Sequence, residues 1–318
     1  MVKLRKKLKK RLGRRKDTSG ASPSPVPSGL LFNRELSWLK FNHRVLEEAL
    51  DPEQPLLERL KFLSIFSTNL DEFFMIRVSG LKEELDDEVP LLSPDGMTPA
   101  EQLREISTRL RPMIEAQTCC LRDEILPGLE SHGVYVTSYK KLAKKERQAA
   151  DAYFRENVFP ILTPQAVDPG HPFPYVSGLS LNLGLMVAPG EEKDGVEDGH
   201  ATRGDKRFAR VELPTVVPRL VPIGESGTRF TLLWSVVAAN LDALFPEMRP
   251  GKSHLFRVTR DADIEIREDE AGDLLRTVQQ QLRRRRFGSA VRLEVSASMP
   301  SKMKRYLSDS LDLMPDDV

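Results

Sequence analysis

The residues with the clearest chemical potential stand together in Phe66-Ser67-Thr68-Asn69-Leu70-Asp71-Glu72-Phe73-Phe74. Ser, Thr and Asn side chains cap helices by accepting hydrogen bonds from unpaired backbone N–H groups. Three of them lie here between two apolar stretches, Leu60 to Phe66 and Phe73 to Val78. The pattern predicts that one helix stops and another starts near Thr68. Thr68 with Asp71 fits a capping box, and Asn69 with Glu72 fits a looser version. Helix N-termini also hold phosphate. Asn69 therefore has two readings on pattern alone, a helix cap or a contact to a phosphate-bearing ligand. Asp71 and Glu72 would repel a bare phosphate, whereas an asparagine amide can bond a base or ribose without adding charge.

Other candidates for chemistry are weaker. Gly251-Lys252-Ser253 ends like a phosphate-binding P-loop, but Pro246 stands where that loop needs glycine, so the segment reads as a turn. No G-x-G-x-x-G, H-E-x-x-H or nucleophile elbow occurs. The five histidines, His43, His132, His171, His200 and His254, are scattered, and no metal site is predicted. His171 sits in the proline-rich run Asp168 to Pro174, where shaping a domain junction is reason enough for the rigidity and catalysis is the second reading. Arg283 to Arg286 end a helical pattern and suit its dipole; successive helical positions point in all directions, so the four cannot converge on one ligand.

The elements that must position these residues fall into two groups. Asn33 is placed to cap a helix that Asp51-Pro52 ends, and Pro55 opens a second. A third runs from about Thr68 to Leu85. Thr98-Pro99-Ala100-Glu101 combines a capping box with proline at the first helical position and starts a long helix that ends near Pro127-Gly128. Four helices with short links imply an antiparallel bundle. From Gly133 the pattern mixes short strands with helices. The strands are expected near Val134 to Val136, Ser180 to Val187, Phe208 to Leu213, His254 to Thr259 and Val291 to Val295. The helices are expected near Leu142 to Asn157, Thr231 to Phe245, Asp269 to Arg286 and Ser301 to Leu313. The polar, Gly-rich segment Gly190 to Asp205 reads as a surface loop. The fold class expected is mixed, an all-α bundle over residues 30–132 followed by an α+β head domain over residues 133–318.

The 318 residues, 40% hydrophobic and 30% charged, suit a soluble globular protein and contain no apolar run of the roughly 20 residues a membrane helix needs. Cys119 and Cys120 are adjacent and read as ordinary thiols of a reducing compartment. The net charge of +1 conceals a polar division. Residues 1–16 hold ten Lys or Arg and no acid, and Ser and Pro dominate the stretch that follows, so residues 1–29 read as a basic disordered tail. A solvated tail is the plainer reading, with polyanion or anionic-membrane contact as the alternatives.

Longer stretches resemble a known family. Asn33-Arg34-Glu35-Leu36-Ser37-Trp38-Leu39-Lys40-Phe41-Asn42, Arg44 to Ala49 and Asn69-Leu70-Asp71-Glu72-Phe73-Phe74 resemble the start of polyphosphate kinase of the long, histidine-phosphorylating type. The likeness continues through Leu162-Thr163-Pro164, Ala166 to Pro169, His171 to Pro174, Phe256 to Asp263 and Arg286-Phe287-Gly288. It implies a helical N-terminal domain followed by a head domain that takes part in dimer contacts. It also implies reversible transfer of the terminal phosphate of ATP to polyphosphate through a phosphohistidine, with Mg²⁺. In that motif the asparagine contacts ATP, which assigns ATP binding to Asn69. The family's phosphorylated histidine, its magnesium-associated arginines and the remaining ATP contacts lie in two C-terminal domains that should begin where this chain stops, at Val318. None of the five histidines matches the nucleophile.

The 318 residues are therefore expected to be inactive alone and to contain no catalytic residue or metal ligand. The expected partners are ATP, polyphosphate and further copies of the chain. The expected location is cytoplasmic, with peripheral contact to the inner membrane face as an addition. Two other classes remain open: a non-catalytic dimerisation or regulatory module, and a polyanion-binding protein acting through the tail.

Overall fold

The computed structural model describes residues 31–85, 92–167, 173–190, 206–224, 227–262 and 288–318. The basic tail, the loop containing His171, the segment from 191 to 205 and the expected helix with Arg283 to Arg286 lie outside these residues.

Helix α1, Arg34–Leu50, begins at Asn33, whose side-chain oxygen accepts from the N–H groups of Glu35 and Leu36 at 3.0 Å each. The amide of the same residue donates to Gln102 at 2.9 Å, so one asparagine both caps α1 and ties it to a later helix. Helix α2, Leu56–Phe73, starts after Pro55 and returns along α1. A π-helical segment, Phe74–Val78, and a short helix α3, Ser79–Glu83, continue it. Helix α4, Pro99–Cys120, opens on the expected capping box, with Thr98 and Glu101 satisfying each other's backbone N–H groups. A second π segment, Leu121–Ile125, leads into α5, Leu126–Ser131. The helix expected to end at Pro127-Gly128 thus runs further. Pro127 falls in the first turn of α5, directly after the π segment. Leu39, Leu46, Phe66, Phe73, Ile106 and Ile125 form the buried core of this helical part.

Among the described residues the remainder forms two sheets. The smaller joins β1 (Tyr135–Thr137) parallel to β6 (Arg229–Leu232), with β5 (Leu220–Pro222) antiparallel on the other side of β6. The larger follows the order β2 (Gln165–Ala166), β4 (Arg207–Glu212), β3 (Leu181–Pro189), β8 (His254–Arg260), β9 (Ala290–Val295), all antiparallel, with β7 (Met248–Pro250) pairing with the far end of β3. Strand β3 is central with both edges paired, and packed side chains cover both its faces, in line with its burial from Asn182 to Leu185. Leu183, Leu185 and Val187 pack on one face against Phe154 and Val158, which extend helix α6 (Lys144–Tyr153), and against α7 (Leu233–Ala239). The other face brings Phe208, Phe256 and Val258 to Met303 and Leu307 of α9, Ser301–Ser310. Gly184 sits on that face, where a Cβ would lie 3.1 Å from the Phe208 ring and 3.3 Å from Phe256. Between α7 and β7 a short helix α8, Leu241–Leu244, completes the layer.

Candidate functional site

Asn69 lies within α2, not at a helix start. The break expected at Ser67–Asn69 is absent, and α2 runs unbroken to Phe73. Each polar side chain there has a partner that removes its need to cap. Ser67 accepts from Gln117 of α4 at 2.6 Å, and the same Gln117 amide reaches the Leu63 carbonyl at 2.9 Å. Thr68 donates back to the Ser64 carbonyl at 3.1 Å, the bond that lets a threonine sit inside a helix. Asn69 donates through Nδ2 to Asn42 Oδ1 at 2.9 Å. The capping roles assigned to Thr68 and Asn69, and with them the phosphate-binding helix start, are overturned by tertiary contacts.

The seam between α1 and α2 holds Asn69 in place. Asn42 is fully buried, and its Nδ2 donates to the Phe66 carbonyl at 3.2 Å. Trp38, one turn earlier on α1, stacks on Phe73 with ring centres 4.4 Å apart and planes 7° from parallel. Leu63, Phe66, Leu70 and Phe73 turn to the core, which leaves Asn69 half-buried at the rim. Ile65 and Glu72, one turn to either side of Asn69 on the same face, are exposed.

Just beyond Asn69 the helix docks on the head domain. Arg257 of β8 forms a two-pronged bond to Asp71, with both N–O distances 2.8 Å, and its Nε donates to Glu294 of β9 at 2.7 Å. Burial pulls the Arg257 pKa down, but Glu294 and Asp71 more than offset this and hold it above the ordinary value. Arg292 lies over the Phe74 ring at 4.6 Å and 3.3 Å from Glu294. Burial lowers its pKa, against the pull of Glu294. Two arginines thus face two carboxylates where the domains meet. The π segment adds a backbone link, because the Met75 carbonyl accepts from the Ala262 N–H at 3.0 Å as well as from the Ser79 hydroxyl. Val291 of β9 packs into the helical core itself.

Asn42, Arg257 and Arg292 were not singled out by spacing or motif. Asn42 interrupts the apolar stripe Leu36, Leu39, Leu46, Ala49, and a polar side chain at a core position of a helix is a usable signal. Arg257 follows the alternating burial of β8, so the strand pattern gives no signal for it.

A cleft of about 1560 Å³ lies elsewhere, between α4, β9 and α9, and Asn69 does not line it. Its walls carry six Lys or Arg against eight Asp or Glu, so a polyanion would find no net positive charge there. Asn69 in its fixed setting remains the better candidate. Gly251-Lys252-Ser253 forms the turn between β7 and β8. Among the described residues no group of three or more His, Cys, Asp or Glu side chains is arranged to hold a metal ion, and no helix is long and apolar enough to cross a membrane.

Comparison with known proteins places these elements in context. A model of the polyphosphate kinase N-terminal domain matches residues 31–137, and one of the polyphosphate kinase middle domain matches residues 145–318. The polyphosphate kinase of Synechocystis sp. is 47% identical over 298 residues, which are 90% of this chain and 39% of that protein. Polyphosphate kinase 1 of Chlorobaculum tepidum is 43% identical over 91% of this chain and 41% of its own length. The crystal structure of the polyphosphate kinase from Porphyromonas gingivalis superposes with a TM-score of 0.69 at 26% identity, covering 93% of this chain and 39% of that one. The chain therefore spans about two fifths of the length of the relatives it matches.

Proposed function

The chain belongs to the polyphosphate kinase family, and from that premise we propose that it supplies the nucleotide-proximal and dimerisation part of an enzyme that phosphorylates polyphosphate from ATP. The observation that carries this reading is Asn69, half-exposed at the rim of an uninterrupted helix and pinned by Asn42 and by the docking of Asp71 on the head domain. In this reading Asn69 contacts ATP. The β–γ bridge P–O bond breaks, ADP departs, and a histidine nitrogen forms a bond to phosphorus; a terminal oxygen of polyphosphate then takes the phosphoryl group and frees the histidine.

Among the described residues no cluster of three or more His, Cys, Asp or Glu side chains is arranged to hold Mg²⁺, and an asparagine cannot serve as nucleophile or neutralise the charge of a moving phosphoryl group. Those tasks fall to domains outside residues 1–318, which alone do not transfer phosphate. The division at residues 132 and 133, dimer contacts through the head domain, a cytoplasmic location with peripheral contact to the inner membrane face, and polyanion contact by the basic residues of 1–16 belong to the same reading.

The experiment is incubation with γ-labelled ATP, Mg²⁺ and polyphosphate, with the chain alone and with the remaining domains of the Synechocystis relative supplied separately. Label is expected in acid-insoluble polymer only when both parts are present. Label on the chain alone would refute the division of labour.

A further inference from the structure

The hydrogen bonds at the α1–α2 seam determine which end of the Asn69 amide is presented outward. The Phe66 backbone oxygen can only accept, so the Asn42 group 3.2 Å from it is the NH₂. Asn42 is fully buried, and its other end, Oδ1, is therefore turned to Asn69. Oδ1 can only accept, so the Asn69 group at 2.9 Å is in turn its NH₂. The Asn69 carbonyl oxygen is left as the atom at the free end, on the exposed rim.

Resting on the reading that Asn69 contacts ATP, we propose that Asn42 is a positioning residue that fixes Asn69 with its carbonyl oxygen outward, so that Asn69 meets a hydrogen-bond donor of the nucleotide, the exocyclic amine of the base or a ribose hydroxyl, and not a phosphate oxygen. The surroundings agree. Glu72, three residues along the same face, is exposed and would repel phosphate. Ile65, four residues back, is 38% exposed and offers an apolar edge to a base or sugar. A carbonyl oxygen facing phosphate would place two acceptors against each other with no proton between them.

The test compares apparent Michaelis constants in the enzyme completed with its remaining domains, for ATP, for purine riboside triphosphate, which lacks the 6-amino group, and for 2′-deoxy- and 3′-deoxy-ATP. One analogue is expected to bind roughly tenfold more weakly than ATP, the loss of one hydrogen bond, and its identity tells amine from ribose. Asn69→Ala should weaken ATP by that factor and leave the deficient analogue unchanged. Asn42→Leu, with Asn69 intact, should shrink the discrimination, which a purely structural loss would not do. If Asn69→Ala weakens ATP and every analogue equally, Asn69 contacts ATP but not through a donor, and this proposal fails alone. If Asn69→Ala changes nothing, the ATP contact itself fails. Discrimination that survives Asn42→Leu would remove the positioning role.

A second measurement needs no variant. In ¹⁵N spectra of the chain, the Asn69 side-chain NH₂ should couple across a hydrogen bond to the Asn42 carbonyl carbon. Coupling in the opposite sense, from the Asn42 NH₂ to Asn69, would overturn the orientation.

Discussion

Arg257 grips Asp71 with both prongs of its guanidinium, Nη1 to Oδ2 and Nη2 to Oδ1 at 2.8 Å each, across 186 residues of sequence. This pair joins the helix carrying Asn69 to the central sheet. Both side chains are mostly buried, 26% and 16% exposed, so removing one leaves an uncompensated charge. Arg257→Ala should destabilise the protein by about 2–3 kcal/mol in urea unfolding. Arg257→Lys should restore little of it, because an ammonium cannot reproduce the two parallel bonds. Wild-type stability in Arg257→Ala would show that the domains are held by apolar packing alone.

Trp38 and Phe73 stack at 4.4 Å where α1 crosses α2. Truncation to Trp38→Ala should cost about 2–3 kcal/mol, less than for a fully buried tryptophan because Trp38 is only partly covered. The chain has two tryptophans, so a Trp234→Phe background leaves Trp38 as the sole fluorescent reporter of the helical part. In that background the fluorescence transition should move to lower urea when Asn42 is replaced by leucine, since both residues support the same seam.

Thr98 and Glu101 close a complete capping box at the start of α4. Thr98→Ala should cost about 1 kcal/mol in thermal or urea unfolding. A loss below a few tenths would mean that Pro99 and packing hold the helix start without the cap.

Much of the architecture was legible in these local signals. Asn33, Pro55 and the Thr98 box mark helix starts because their bonds are made within a few residues, and β3 is readable from the alternation of Leu181, Leu183, Leu185 and Val187. The Ser67-Thr68-Asn69 break was misread for the converse reason. The partners that let these residues stay helical, Gln117 and Asn42, lie 50 and 27 residues away. Strands β2, β5, β6 and β7 are short and draw their identity from neighbours, which no periodicity within two to four residues can reveal. At the candidate site, the motif singled out Asn69 but misplaced it at a helix start, whereas Asn42 and Arg257 act through contacts that only the fold creates.

His254 is buried at the start of β8, and burial, helped by nearby Lys252, lowers its pKa from the ordinary value of 6.5. Below about pH 6.5 the unfolded imidazole binds more protons than the folded one, so stability should fall as pH drops from 6.5 toward the lowered folded value. His254→Gln should flatten that part of the pH–stability curve. An unchanged slope between pH 5 and 7 would place the titrating group elsewhere.

The central claim is that Asn69 forms one edge of an ATP site completed by other domains. The most direct measurement is the apparent Michaelis constant for ATP of the completed enzyme with Asn69 and with Asn69→Ala, each checked for folding by circular dichroism. The account predicts a rise of roughly tenfold, the loss of one hydrogen bond to the nucleotide. An unchanged Michaelis constant and turnover in a folded Asn69→Ala enzyme would contradict it.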